Sequence, residues 1–161
     1  MFKGLFKKKQ PNDQDSMLVP LKGKIVHLEV VPDPVFAEKM MGDGFAIDPA
    51  DGTIVSPVDG EVITIFPTKH AISLKSKQGR EILIHVGLET VQLNGEGFTP
   101  LVMDGQKIKK GQELLQVNFD AIKDKVPSIL TPVIFTNLNE NEKVVVEGQE
   151  IFIRKKKIRQ S

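Results

Sequence analysis

The sequence predicts an all-β fold, an antiparallel sandwich or barrel with only short helical turns. Short segments rich in Val, Ile and Phe recur along the chain, and 13 glycines and 10 prolines separate them. β-branched and aromatic residues favour strands, whereas Gly and Pro interrupt them. Strands at this close spacing are typical of sandwiches and barrels.

The predicted strands follow one another between residues 25 and 153. They are Ile25–Val26, Ile54–Val55, Val62–Phe66, Ile72–Leu74, Ile82–Val86, Leu114–Val117, Val133–Phe135, Val144–Val146 and Ile151–Ile153. One helical turn is predicted, over Asp120–Lys125, because Pro127 stops it. A loose echo relates Pro20–Ile25 to Pro57–Val62 at an offset of 37 residues, each copy leading into a strand. The echo hints at a duplicated β motif.

Length and composition indicate one folded domain with basic ends. The chain has 161 residues and 40% apolar content, enough for one full core. Residues 1–16 are predicted to be a basic N-terminal segment and linker, residues 17–153 the domain, and residues 154–161 a basic tail. The absence of cysteine excludes disulfides, a zinc ribbon and a thiol nucleophile. Because neither a secretory signal nor a spanning apolar run is present, we expect a cytoplasmic protein.

The charges are distributed unevenly. Residues 1–9 and 154–161 hold nine basic residues and no acid, whereas residues 10–153 carry a net charge of −8. A duplex-binding domain carries positive charge on its folded surface, so we expect no nucleic-acid partner. Phe2, Leu5 and Phe6 have helical spacing among lysines. Residues 1–9 therefore fit either a short amphipathic helix on an anionic membrane or a disordered basic leader.

Two of the three histidines can be placed opposite each other from spacing alone. Thr68–Val86 is predicted to form a β-hairpin that turns at Ser76–Gly79. A two- or four-residue loop pairs residues whose numbers sum to 155, which makes His70 and His85 direct cross-strand neighbours. Their Cβ atoms would then lie roughly 4.5–5.5 Å apart on one face of the sheet. A loop of three or five residues would break this register.

Three uses of the histidine pair remain open from the residues alone. The pair could bind a metal with a third ligand, for which Asp33 and Glu89 are the nearest candidates. It could perform general acid–base chemistry on a small substrate. Or one imidazole could take up a phosphoryl group while the other donates a hydrogen bond to it, because burial of paired rings lowers both pKa values. Thr68 could fix the tautomer of His70. His27 has no such partner and is predicted to be structural or exposed.

Two other segments allow a structural and a functional interpretation. Met40–Phe45 is predicted to be core followed by a turn, with an adaptable apolar docking patch as the alternative. Asp104–Gln112 is predicted to be a strand–turn–strand element and, like Ser56–Gly60, resembles half-motifs of biotinyl and lipoyl carrier domains. Leu114–Phe119 follows without the lysine that such carriers modify, so the carrier interpretation fails.

Several sequence blocks, in order over about residues 17–153, carry a resemblance to one known family. They are Val31–Asp33, Val35–Lys39, Gly42–Gly44, Ser56–Gly60, Phe66–Ala71, Ile84–Val91, Gly95–Phe98 and Leu130–Val133. With these blocks, the chain closely resembles the glucose-type IIA components of the bacterial phosphoenolpyruvate-dependent sugar phosphotransferase system. The resemblance implies a compact antiparallel β-sandwich built from a duplicated motif.

The resemblance also implies roles for particular residues and favours the phosphoryl interpretation over the metal one. His85 would accept the phosphoryl group through Nε2, His70 would hydrogen-bond that group, and Thr68 would orient His70. Asp33 and Glu89 would meet basic residues of partner proteins. Many relatives have Asp at the position of Glu89 and Phe at that of Val86. The apolar rim that contacts partners would consist of Val35, Phe36, Met40, Met41, Phe66 and Val91.

The partners follow from the same resemblance. The phosphoryl donor would be phosphorylated HPr, and the acceptor would be the cysteine of a IIB domain, which phosphorylates the sugar during uptake. Regulatory targets of the unphosphorylated form are a second expected use of the same surface. No cofactor and no resident metal are expected, and nothing demands more than a monomer. The N-terminal segment resembles a membrane tether of some free-standing members, which would place the protein at the inner face of the membrane.

Overall fold

Residues 16–157, which a computed structural model describes, form thirteen strands and four short helical segments. The strands are β1 (Met17–Leu18), β2 (Gly23–His27), β3 (Asp43–Pro49), β4 (Thr53–Val55), β5 (Gly60–Ile65), β6 (Ala71–Ser76), β7 (Glu81–His85), β8 (Phe98–Pro100), β9 (Lys107–Ile108), β10 (Glu113–Val117), β11 (Thr131–Phe135), β12 (Glu142–Glu147) and β13 (Glu150–Lys155). The helical segments are α1 (Pro34–Ala37), α2 (Phe119–Ile122) and the 3-10 helices Leu28–Val30 and Thr90–Leu93.

The strands form three antiparallel sheets, which confirms the predicted all-β antiparallel sandwich. The largest sheet has the order β2-β3-β11-β7-β6-β5-β9, and two three-stranded sheets have the orders β1-β13-β12 and β4-β10-β8. The main core contains buried apolar residues from all three sheets, such as Ile151, Ile54 and Ile84. Each fully buried side chain of this size contributes about 1.5–3 kcal/mol.

The alternation of β7 decides which side chains reach the site. Ile82 and Ile84 point into the main core. Leu83 belongs to a second apolar cluster, which includes Leu28 and Phe36 and lies on the opposite face of the large sheet. Because side chains alternate along a strand, His85 points to the same face as Leu83. The first 3-10 helix and α1 cover this face and form one wall of the histidine site.

All nine predicted strand segments lie in observed strands, although two extend one residue too far. Phe66 follows the end of β5, and Val86 follows the end of β7. The sequence did not predict β1, β3 or β8. In β3, Phe45, Ala46 and Ile47 are consecutive and buried, because this strand has apolar residues on both faces of the large sheet. Strand β13 also continues through Lys155, two residues beyond the predicted domain boundary.

The predicted helical turn near Asp120 is present as α2, but the prediction that it stands alone is wrong. Asp33 Oδ1 accepts a hydrogen bond from Val35 N–H at 2.9 Å, and Pro34 occupies the first turn of α1. An Asp cap followed by Pro is a strong helix start. The two 3-10 helices were missed as well, because segments this short leave no measurable periodicity.

The sequence echo coincides with two equivalent strand starts. Gly23 begins β2 opposite Pro49, and Gly60 begins β5 opposite Ser76. A Cβ atom on Gly23 would lie 2.1 Å from Asp48 O, and one on Gly60 would lie 2.0 Å from Lys75 O. Both glycines therefore permit the same close approach of a neighbouring strand. The duplication of the motif itself stays a prediction.

The ends of the chain lie outside the described residues. The prediction that residues 1–9 contact a membrane falls on this part of the chain. Within residues 16–157, no helix is long and apolar enough to cross a membrane.

Candidate functional site

The rings of His70 and His85 face each other. Their centroids are 4.9 Å apart, and the ring planes are inclined by 82°. Phe36 lies 5.1 Å from the His85 ring, and Phe66 lies 5.7 Å from the His70 ring. The predicted proximity of the two imidazoles is therefore confirmed, and an aromatic ring flanks each of them.

The hairpin register that predicted this proximity is wrong by one residue. His85 lies opposite Ala71, and the ladder ends at the turn with the pair Lys75 and Glu81. Five residues, 76–80, thus separate the paired positions. The rings still meet because Lys69 has a left-handed backbone (φ 64°) and His70 lies in the bend before β6. The His70 carbonyl accepts a hydrogen bond from Val86 N–H at 2.8 Å, which anchors the bend to the end of β7.

The environment of His85 fixes its tautomer. His85 Nδ1 lies 2.8 Å from the carbonyl oxygen of Gly87. A carbonyl oxygen only accepts hydrogen bonds, so Nδ1 carries the proton and donates it. In the neutral ring, Nε2 then keeps a free lone pair. Burial lowers the pKa of His85 below its ordinary value, against the opposing effects of the Gly87 hydrogen bond and the Asp33 carboxylate.

His70 is also neutral at physiological pH. Its side chain is buried, and burial together with the neighbouring His85 lowers its pKa to about 4. Thr68 Oγ1 lies 2.7 Å from His70 Nδ1, the contact predicted from their spacing. When the hydroxyl donates to Nδ1, the single ring proton resides on Nε2. His85 Nε2 then has a free lone pair, and His70 Nε2 has a proton to donate.

The two predicted carboxylates occupy different positions. Asp33 is half-buried, caps α1 and lies close enough to His85 to oppose the lowering of the His85 pKa by burial. Glu89 is exposed, has a left-handed backbone (φ 57°) and accepts a hydrogen bond from Gln92 Nε2 at 3.0 Å. Within residues 16–157, no group of three or more His, Cys, Asp or Glu side chains is arranged to hold a metal ion.

The predicted apolar rim divides into exposed and buried members. Val35, Met40, Met41 and Val91 are exposed, with 69% of Met40 accessible. Phe36 is buried and packs against His85, so it belongs to the wall of the site rather than to its open surface. Phe66 is half-buried beside His70. The core-plus-turn interpretation of Met40–Phe45 thus holds for Phe45 alone, since both methionines point outward.

Sequence reasoning missed two groups that shape the site. One is the Gly87 carbonyl, which holds the proton of His85. The other is Thr90, whose buried Oγ1–H donates to Val86 O at 2.6 Å and ties the second 3-10 helix to the end of β7. Gly87 and Thr90 were visible in the block around His85, but only the three-dimensional turn brings their atoms to this strand.

The third histidine lies away from the pair. His27 is exposed at the end of β2, in line with its predicted structural or exposed status. It lines a cavity of about 770 Å³ between β2, β3 and β12, together with residues such as Glu29 and Lys39. Neither His70 nor His85 lines this cavity.

Fold and site together define a β-sandwich protein with a pair of neutral histidines that carry their protons on different ring nitrogens. The family described as phosphoenolpyruvate-dependent sugar phosphotransferase system, EIIA 1, matches residues 15–141. The chain belongs to this family.

Similar proteins cover nearly the whole chain. The glucose-specific EIIA component of Bacillus cereus is 49% identical over 144 residues, which cover 89% of this chain and 87% of the relative. The corresponding Staphylococcus epidermidis protein is 44% identical, with 96% and 93% covered. A glucosamine-specific EIICBA component of Bacillus subtilis is 52% identical over 133 residues, which cover 83% of this chain and 21% of that protein. The solved structure of glucose permease IIA from Mycoplasma capricolum matches with a TM-score of 0.80 and 42% identity, and covers 86% of this chain and 94% of that one.

Proposed function

We propose that the protein is a phosphocarrier that accepts a phosphoryl group from phosphorylated HPr on His85 and passes it to the cysteine of a IIB domain. The observation that carries the proposal is the hydrogen bond from His85 Nδ1–H to the Gly87 carbonyl. It leaves the Nε2 lone pair of a neutral ring available as a nucleophile, and the family supplies the phosphoryl chemistry.

The transfer requires positioning more than covalent assistance. As the Nε2 lone pair forms a bond to phosphorus, the N–P bond of the donor phosphohistidine breaks and its electron pair returns to the donor nitrogen. The Nδ1 proton of His85 stays on Nδ1, hydrogen-bonded to the Gly87 carbonyl. His70, oriented by Thr68, donates from Nε2–H to a phosphoryl oxygen, where negative charge is concentrated. In the second step, the IIB thiolate attacks phosphorus and the electron pair returns to His85 Nε2.

The surroundings suit a reaction between two proteins. Phe36 and Phe66 flank the rings and exclude water, and the exposed Met40 and Val91 offer adaptable apolar contacts. Asp33 and Glu89 would meet basic residues of the partners, in keeping with the net charge of −8 over residues 10–153. We place this activity in the cytoplasm, with a peripheral membrane contact through residues 1–9 as a separate proposal.

A regulatory role of the unphosphorylated protein is the second candidate, and the exposed apolar rim favours it. A dianionic phosphoryl group in the centre of this surface would repel a partner that buries it. The phosphorylation state would then decide whether such a partner binds. His85→Gln should abolish phosphoryl uptake while it preserves the binding of targets of the unphosphorylated form.

The decisive test of the carrier is intact-mass analysis after incubation with phosphoenolpyruvate, enzyme I and HPr. We expect one acid-labile phosphate on the wild type and none on His85→Ala. His27→Ala is the matched control, because it removes an exposed histidine outside the pair, and it should be phosphorylated like the wild type. His70→Ala should take up phosphate but release it slowly to a IIB domain. If phospho-HPr forms and the wild type remains unmodified, the proposal is wrong.

A further inference from the structure

An ion-pair cluster closes the base of the methionine loop, which we define as Met40–Gly42. Lys39 Nζ lies 3.3 Å from Asp43 Oδ1 and 3.6 Å from Glu29 Oε2. The second oxygen of Asp43 accepts a hydrogen bond from Val144 N–H at 2.8 Å. The cluster thereby joins the first 3-10 helix, the residues after α1, the start of β3 and the edge of β12.

The backbone at Lys39 needs such support. Its φ of 59° is left-handed, a conformation that a residue with a β-carbon adopts reluctantly. Hydrogen bonds from Met40 N–H to Val35 O at 3.1 Å and from Gly42 N–H to Lys39 O at 3.2 Å shape the loop. Burial lowers the pKa of Lys39, but the carboxylates of Asp43 and Glu29 outweigh this effect and raise it above its ordinary value.

The loop that the cluster holds contributes little to the core. Met40 is 69% and Met41 is 40% exposed, so their positions matter chiefly to a molecule that docks on them. The lysine itself is 44% exposed, and ion pairs at such sites add little to the stability of the fold. Their larger effect is geometric, because two carboxylates on different elements restrict one ammonium group.

We propose that Lys39 is a positioning residue for partner docking, whose ion pairs with Asp43 and Glu29 hold the methionine loop in the conformation that meets phospho-HPr. The inference rests on the proposed function. It assigns Lys39 no contact with the phosphoryl group. Loss of the ion pairs should therefore weaken the encounter between the proteins and leave the transfer step unchanged.

The test compares the rate of phosphoryl uptake at increasing phospho-HPr concentration for five variants. Lys39→Met, Lys39→Gly and Asp43→Asn should each raise KM about three- to tenfold with kcat within about twofold of wild type. Lys39→Arg should restore a near-normal KM, because arginine can reach the same carboxylates. Lys123→Met is the matched control, since it removes a lysine whose exposed partner is Asp120, and it should leave KM unchanged.

The variants distinguish a displaced methionine loop from a change in surface charge and from a loss of folding. Lys39→Met makes the surface more negative and Asp43→Asn makes it less negative, so a long-range charge effect would move KM in opposite directions. Lys39→Gly removes the ion pairs but relieves the left-handed backbone, so its fold should be preserved. Opposite shifts, or an unchanged KM in a folded Lys39→Gly variant, would overturn the inference.

A second readout needs no phosphoryl transfer. The chain has five methionines, and their ¹³C-methyl resonances report on each side chain separately. In Lys39→Met, which adds one signal, and in Lys39→Gly, the Met40 and Met41 signals should move toward averaged values while the buried Met17 signal stays in place. Unmoved Met40 and Met41 signals would contradict the inference even if the wild type is a phosphocarrier. A wild type that accepts no phosphate would instead refute the proposed function.

Discussion

At the scale of single residues, the site depends on two histidine rings, one buried and one half-buried, that stay neutral. A histidine nucleophile must keep its lone pair, and protonation of either ring would also place a charge beside its neighbour. Burial lowers both pKa values, and that of His70 falls to about 4. The Gly87 carbonyl keeps the His85 proton on Nδ1, and Thr68 leaves the His70 proton on Nε2, so the two rings present Nε2 atoms in opposite protonation states.

This arrangement predicts a loss of stability in mild acid. His70 has an ordinary pKa of 6.5 when unfolded and a lower one when folded, so below 6.5 the unfolded chain binds more protons. The free energy of unfolding should fall as the pH decreases from 6.5 toward about 4, and His70 should contribute no pH dependence above that window. His85, whose pKa is also lowered, should act in the same direction.

Urea unfolding of the wild type, His70→Gln and His27→Gln at about pH 7 and about pH 5 checks this prediction. His70→Gln should lose less stability between the two pH values than the wild type. His27→Gln removes an exposed ring and should behave like the wild type. An equal loss in all three proteins would show that the histidine pair does not carry the effect.

At the scale of structural elements, close packing and two hydrogen bonds constrain the turn after β7. Gly87 has φ 72°, and a Cβ atom there would lie 2.7 Å from Thr90 Cγ2. Thr90 cannot rotate away without breaking the buried hydrogen bond from its Oγ1–H to Val86 O. The same turn aims the Gly87 carbonyl at His85, so the packing of this turn and the tautomer of His85 depend on each other.

Gly87→Ala should therefore be more destabilising than an alanine at an open turn. Gly148 offers the control, because it has φ 62° and a Cβ atom there would meet open space, with no contact within 4 Å beyond its chain neighbours. We expect a cost of about 1 kcal/mol for Gly148→Ala and about 2–4 kcal/mol for Gly87→Ala in urea unfolding. Gly87→Ala should also slow phosphoryl uptake, whereas Gly148→Ala should not. Equal costs would mean that the contact with Thr90 is not limiting.

The hairpin that contains His70 and His85 shows which features of the site the sequence alone can predict. Apolar residues at alternate positions located β6 and β7, because Ile72 and Leu74 in one strand and Ile82 and Ile84 in the other pack into the main core. It could not decide the loop length, since Ser76 and Arg80 close a five-residue loop through hydrogen bonds that no residue pattern reveals. The left-handed Lys69 then compensated for the one-residue shift. The proximity of the rings was predictable, but the path of the backbone that produces it was not.

At the scale of the whole molecule, the second apolar cluster and the exposed rim lie on the same side of the large sheet. Leu28, Phe36 and Leu83 are buried there and fix the wall of the site. Met40 and Val91, from segments on either side of the histidines in sequence, remain exposed. A rigid base with an exposed apolar margin is what a docking surface for unlike proteins requires, because methionine adapts to different partners.

Two methionines of nearly equal exposure allow this surface to be tested. Met40 is 69% and Met103 is 73% exposed, and only Met40 belongs to the predicted rim. Met40→Asp and Met103→Asp add the same charge, so an effect of net charge alone would be equal in both. Each should change the free energy of unfolding by less than about 0.5 kcal/mol, because neither side chain packs in the core. Met40→Asp should raise KM for phospho-HPr about tenfold, because docking would bury an unpaired carboxylate, whereas Met103→Asp should leave KM near the wild-type value. Equal KM values for the two variants would mean that partners approach His85 over a different part of the surface.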